Sequence, residues 1–353
     1  MTKNIIYALV AHANIGVILL LSALSFSACK VDFSPNAEWK EIPVVYCILD
    51  QDDDTTWVRV QRCYLGEGNL YQYGSCYDSI NYPQGSLRVY MEEWPASRGR
   101  LATLTMSPYA TAPTKTFHFT ETMLDDKPDG NFSSPGQMAF FCRTNLDTSR
   151  VYRLVVMRGN DTLAQAVTPL VGGEMELREP TERKMFQFSG AGVKKCILQW
   201  TTIPRARQYQ PSVRFYYNDY VREWNGTGYD TTITPHYIDI ECSACKSSMR
   251  NLTEQVDLYQ STFLSTIQTV LQGDTVHKVT VDTVLISVNA CTEDLAAYLF
   301  SVEEGAGRTA YTNIEGGLGV FAARRTHISF KIPTPPNADS QYKLRLKELG
   351  VGF

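Results

Sequence analysis

From Ile42 onward the chain is dominated by short β-branched and aromatic runs separated by turn residues. Val44-Val45-Tyr46-Cys47-Ile48-Leu49 is an uninterrupted apolar run, the signature of a strand covered on both faces. Thr55 to Arg62 alternates apolar with polar, so that strand has one buried and one wet face. Asp50-Gln51-Asp52-Asp53-Asp54 between them reads as a hairpin tip. The pattern predicts further strands at Ser86–Glu92, Thr116–Thr120, Gln137–Arg143, Tyr152–Met157 and Thr162–Thr168, with Gly159-Asn160-Asp161 joining the last two as a tight hairpin. Many short strands with such turns predict a β-sandwich of the immunoglobulin-like kind over 42–172. Gly172-Gly173 and Pro180 interrupt the pattern and end this domain.

A second domain, 182–353, opens with strands near Lys194–Thr201 and Val213–Tyr220 and then departs from pure β. Val256, Tyr259, Phe263, Ile267 and Val270 recur at helical spacing, which predicts a helix near 253–271, with Asn251 and Glu254 at its start and Gly273 after its end. Thr292 precedes a second helix, near 293–304, with Leu295, Leu299 and Val302 as its apolar stripe and Gly305 as its stop. Strands near Val276–Val288, Gly319–Ala322 and Ile328–Ile332 complete it. The expected fold is mainly β: a sandwich followed by a β-rich α+β domain with two helices.

The start of the chain has another character. Lys3 precedes an uncharged stretch that culminates in Val17-Ile18-Leu19-Leu20-Leu21 and closes in small residues, Ser27-Ala28-Cys29. A basic start, a short apolar core and small residues at the cut are the layout of a secretory signal, 1–28. The apolar run is too short for a span of about 20 residues. Ser27-Ala28-Cys29 resembles the bacterial lipobox, in which the cysteine receives diacylglycerol and becomes the new N-terminus; Phe26 stands where that pattern usually has leucine. An ordinary cleavable signal or an uncleaved anchor are the other readings of this segment. Residues 29–41, polar and with Pro35, read as a tether.

Loss of residues 1–28 removes only Lys3 among the charged groups and leaves 325 residues with 32 basic and 37 acidic side chains. That balance argues against nucleic acid as a partner, since phosphate binding wants a basic face. Beyond Cys29 eight cysteines remain, an even count suited to disulfides in an exported chain, with free buried thiols as the alternative.

Ile42-Pro43-Val44-Val45-Tyr46, then Val58-Arg59-Val60 and Tyr64-Leu65-Gly66, resemble the opening of a set of Bacteroidetes lipoproteins whose domains have no assigned function. Tyr311-Thr312-Asn313-Ile314-Glu315-Gly316-Gly317-Leu318-Gly319-Val320-Phe321 resembles their closing motif. The motifs read as structural, with glycines that suit a turn feeding a buried strand. Cys47 and Cys63 stand where the pattern has glycine and alanine, so neither belongs to a family-wide site. The resemblance implies a membrane partner through the N-terminal lipid and work beside a TonB-dependent outer-membrane transporter or another envelope protein. It also implies O-glycosylation after aspartate, at Thr55, Ser79, Thr162, Thr231, Thr275 and Thr283, although Asp-Thr is equally ordinary turn chemistry. In that phylum a lysine and paired acids after the lipid cysteine direct surface export; Lys30-Val31-Asp32 matches half of this, leaving the periplasmic face and the cell surface both open.

Candidate chemistry is sparse. Cys242-Ser243-Ala244-Cys245 is expected to form local disulfides, with each other or with partners; redox work would need a thioredoxin-like setting, and zinc would need two more ligands. Asp50, Asp52 and Asp54 alternate like a calcium loop, but Thr55 replaces its turn glycine and Gln61 its bidentate glutamate. His118, His236, His277 and His327 lie in no recognised motif, and the nucleophile elbow, phosphate loop and zincin signatures are absent. No catalytic residue, metal site or cofactor is therefore assigned, and the chain reads as a non-enzyme. Tyrosine is in excess, at 20 residues. Tyr71, Tyr73 and Tyr77 in one crowded stretch, and Tyr217, Tyr220 and Trp224 in another, are the candidate contacts for sugar or protein. The function expected is an outer-membrane-anchored binding or accessory module. The alternatives are an assembly component of an envelope or secretion apparatus and, behind it, a polymer-acting enzyme.

Overall fold

The computed structural model describes residues 41–63, 74–98, 104–124, 136–181, 183–248, 251–271, 277–278, 283–303, 311–326 and 329–333. Cys29, Tyr71, Tyr73, Thr275 and the Tyr64-Leu65-Gly66 motif lie outside them. The described chain is mainly β, nineteen strands against three helices.

The opening hairpin forms as expected, β1 (Pro43–Asp50) against β2 (Thr55–Arg62), with β6 (Thr120–Leu124) and β7 (Gln137–Arg143) continuing that sheet. A second sheet is built on β3 (Leu87–Arg98), with β4 (Leu104–Met106), β5 (Lys115–His118), β8 (Arg150–Arg158) and β9 (Asp161–Pro169). Arg158 pairs with Asp161 across the two-residue turn Gly159-Asn160. The inner faces of the two sheets meet in one core: Val45, Cys47, Leu49, Val58 and Phe140 from the first, Val89, Met91, Leu154, Val156 and Ala166 from the second. This is the sandwich. The four-residue helix α1 (Tyr77–Ile80) lies before β3.

The second core, from Val171 to Ile332, is layered differently. The small sheet of β10 (Leu177–Glu179), β11 (Lys195–Thr201) and β15 (Thr253–Tyr259) and helix α2 (Gln260–Leu271) share this core with β12 (Gln208–Trp224), β13 (Tyr229–Glu241) and β17 (Thr283–Cys291). Phe263 of α2 is in ring contact with Phe186, Phe188 and Phe215, and Trp200 of β11 with Tyr209 of β12. The two-residue strands β14 (Cys245–Lys246) and β16 (His277–Lys278) pair with β12, and β19 (Ser329–Pro333) with β17.

One correction concerns the first helix. Thr253–Tyr259, expected to be helical, is strand β15, in register with β11 from Thr201↔Thr253 to Lys195↔Tyr259. Val256 and Tyr259 fit a helical period, but Val256 and Leu258 also fit alternation, and β11 supplies the backbone partners. Glu254 does not cap a helix; its carboxylate accepts the Ser248 backbone N–H at 2.7 Å. The second helix, α3 (Glu293–Glu303), lies where expected. The Thr292 hydroxyl is spent on both backbone groups of Ala323 instead of capping α3.

The two cores share one eleven-stranded sheet, in the order β13-β12-β17-β18 (Leu318–Arg325)-β1-β2-β7-β6, with three further strands paired to it. The join is β18, the strand of the closing motif, which lies parallel to β1 from Val44↔Leu318 to Asp50↔Arg324. α3 covers the seam, packing Leu295 against Val320 and Ala322 beside Tyr46 and Ile48.

Candidate functional site

Two places gather chemistry. The first is the arm made by β12 and β13, in register from Ser212↔Glu241 to Trp224↔Tyr229. Alternation sends Val213, Phe215 and Tyr217 into the second core with Ile238 and Ile240. The opposite parity places Tyr216 beside Tyr237 and Trp224 beside Tyr229, with Ile233 between the two pairs. All five are exposed: Tyr216 39%, Tyr237 55%, Ile233 54%, Trp224 62% and Tyr229 65%. Trp224 and Tyr229 meet edge to face at 5.1 Å between ring centroids. Arg214 lies over the Tyr237 ring at 3.9 Å while its fork grips Asp239 at 2.6 and 2.7 Å. The tip is organised by Asn225, whose side-chain oxygen accepts from the backbone N–H groups of Thr227 and Gly228. At about 3.3 Å per residue, the rungs from Tyr216 to Trp224 span roughly 26 Å. Past Asp219, β12 has β13 as its one partner among the described residues.

The expected contacts thus divide. Trp224 sits on the exposed ladder and Tyr220 is in register with Ile233. Tyr217 is on the core side, its ring stacked on His236 at 5.3 Å. Tyr77 is half-buried and packs on the first core. The ladder members not singled out, Tyr216, Tyr229, Tyr237 and Ile233, were findable by parity once β13 was known to be a strand. Of the glycosylation candidates, Thr162 and Thr231 are exposed, Thr55 and Ser79 half-buried, and Thr283 opens β17.

The expected Cys242–Cys245 disulfide is not formed. The eight cysteines among the described residues are all free. Cys242 is turned into the second core, while Cys245 is fixed in β14 opposite Tyr209 with its thiol toward the Lys246 carbonyl. Burial pushes the Cys242 thiol up to about 12 and raises Cys245 as well, the reverse of a reactive thiolate. Among the described residues no three His, Cys, Asp or Glu side chains converge on a metal position. Asp50 is held by Thr326, Arg324 and the Asp52 N–H, and Asp52 by Arg325, so the acidic tip is anchored by cations of the chain itself. Among the described residues no helix is long and apolar enough to cross a membrane.

The second place is a cleft of about 600 Å³ between the loop Thr202–Arg207 and the start of α3. Arg205 lies on the loop with φ of 68°, a left-handed conformation that costs a non-glycine residue roughly 1–2 kcal/mol. Its guanidinium is fixed by the carbonyls of Leu170 and Thr148 at 2.5 and 2.9 Å. Gly172 makes room for it, since a Cβ there would meet Nη2 at 2.0 Å. Arg207 donates to Glu293 at 3.0 Å, and Tyr311 donates its hydroxyl to Asp294 at 2.5 Å. Burial raises the Asp294 carboxyl above its usual range; the Tyr311 hydrogen bond opposes this and Glu293 adds to it.

A carboxyl raised in the fold binds its proton more tightly folded than unfolded. Its stabilising contribution is therefore complete at low pH and is lost as pH rises through the folded-state value. Asp294→Asn keeps an oxygen for Tyr311 and carries no charge, so it should be neutral to stabilising at pH 7. That advantage should shrink as pH is lowered into the carboxylate range. Thermal unfolding of both proteins from pH 4 to 7 tests this, and an advantage that grew toward acid would refute it.

A scan against protein-family models finds no match for the chain, and a search of curated proteins finds none either.

Proposed function

We propose that this protein is a lipid-anchored lipoprotein of the outer membrane and acts as a non-enzymatic binding module, serving a TonB-dependent transporter or another envelope protein. The observation that carries the reading is the exposed ladder of Tyr216, Tyr237, Ile233, Trp224 and Tyr229 on the β12–β13 arm. Large apolar side chains exposed together on one face of an arm offer a contact surface, and rigid rings give large contact area at low entropic cost. The lipobox-like Ser27-Ala28-Cys29 supports the anchor, and the tether after it would let the arm search the membrane's neighbourhood.

Cys29→Ser is the direct test. The variant should leave the membrane fraction for the soluble one, and unchanged retention would overturn the anchor. Extraction of the lipidated protein in mild detergent should recover a transporter. Recovery of a secretion-apparatus subunit with no transporter would turn the reading to an assembly component.

A further inference from the structure

The cleft beside α3 differs from the arm in every respect that bears on a ligand. One wall includes Arg205 and Arg207, of which Arg205 gives its guanidinium to the Leu170 and Thr148 carbonyls; the other includes Glu293 and Asp294. The remainder includes Leu104, Pro169, Ile203, Leu252 and Ala297, and Leu252 stands 86% exposed. Its volume, about 600 Å³, lies within the range of roughly 300–1,000 Å³ typical of small-molecule sites.

The arrangement of charge narrows the ligand. A simple anion would meet the two carboxyl groups, and a simple cation would meet the Arg207 guanidinium and the field of Arg205. A neutral sugar would find one aromatic ring, Tyr311, whose hydroxyl is already given to Asp294. The Arg207–Glu293 pair, at 3.0 Å with Glu293 largely exposed, sets a positive and a negative charge side by side. Exposed pairs of this kind are weak, so a ligand that supplies both partners displaces one at little cost. A group with ammonium and carboxylate on the same carbon fits that adjacency.

We propose that this cleft binds free α-amino acids with apolar side chains. The ligand carboxylate is taken by Arg207, with Arg205 adding positive field; the ammonium is taken by Glu293 and Asp294; the side chain lies against Leu104, Pro169, Ile203 and Leu252. The assignment is independent of the arm and of its partner.

Calorimetric titration of the full mature chain with leucine, phenylalanine and tryptophan tests it. At least one should bind with Kd below about 1 mM, and its N-acetyl and its carboxamide derivatives should each bind at least about tenfold more weakly. Arg207→Gln and Asp294→Asn should each lose about tenfold in affinity for the free amino acid while unfolding at temperatures close to the parent's. Equal binding of the blocked derivatives, no binding of any of the three, or full affinity in both variants would each overturn the proposal.

Discussion

Gly319→Ala should be among the most damaging single-methyl additions the chain can receive, lowering stability by more than about 3 kcal/mol. Gly319 is the second residue of β18, paired with Val45 at the parallel seam. Its φ is +107°, a conformation side chains rarely adopt, and a Cβ there would meet the Val45 carbonyl oxygen at 2.0 Å and its carbon at 2.8 Å. Both atoms are backbone, so no rotamer change relieves the contact. The strands must separate or the residue must change conformation, and either disturbs two layers at once. Val45 and Phe321 belong to the sandwich core on one side, and Val320 and Ala322 carry α3 on the other. Against a total stability of about 5–15 kcal/mol, that loss leaves little margin. Gly192→Ala is the control: its φ is unexceptional and nothing lies within 4 Å of its Cβ position, so it should stay within about 0.5 kcal/mol of the parent. Urea unfolding of the three proteins decides the matter, and equal midpoints for Gly319→Ala and the parent would show that the seam yields.

The same strand shows what the pattern of residues could and could not convey. Most strands of the sandwich were legible because they alternate or run apolar between clear turns, and Gln137–Arg143 was found to the residue; β4 and β6 were not, and the run expected as one strand at Thr116–Thr120 divides between β5 in one sheet and β6 in the other. The parallel pairing of β1 with β18 was not, because residues 44–50 and 318–324 meet across the whole fold and nothing local marks the register. Strand β13 was missed for a different reason. Tyr229 to His236 is rich in Thr and contains Pro235, which argues against a central strand; β13 is an edge strand, where proline is tolerated. With β13 unseen, Trp224 could be chosen for its type, but Tyr216 and Tyr217 could not be told apart. Pairing with β13 and packing on α2 separate them, one outward and one inward. The cleft was invisible for a third reason: Arg207 and Glu293 are brought together by the return of β17 alongside β12.

Trp200 and Trp224 should respond to truncation in opposite ways. Trp200 is fully buried at the centre of the second core, in ring contact with Tyr209 at 5.5 Å and clustered with Phe186, Leu198 and Leu258. Trp200→Ala removes a large ring from close packing, and the cavity it leaves is bounded by two sheets that cannot collapse far, so the expected cost is about 3–5 kcal/mol. Its indole N–H is buried with no partner among the described residues, so Trp200→Phe should cost less: it loses part of the ring but also an unsatisfied donor. Trp224 is 62% exposed near the end of the arm and meets the Tyr229 ring. Trp224→Ala should change the unfolding midpoint by no more than about 0.5 kcal/mol. If the ladder is the contact face, the same change should weaken capture of the envelope partner by more than about tenfold, and Tyr229→Ala should do likewise, because central aromatic anchors dominate protein interfaces. Paired measurements on the Trp200 and Trp224 variants, unfolding in urea and partner recovery from detergent extracts, separate folding from binding. Partner recovery undiminished in the doubly substituted Trp224→Ala, Tyr229→Ala protein would remove the arm from the interface.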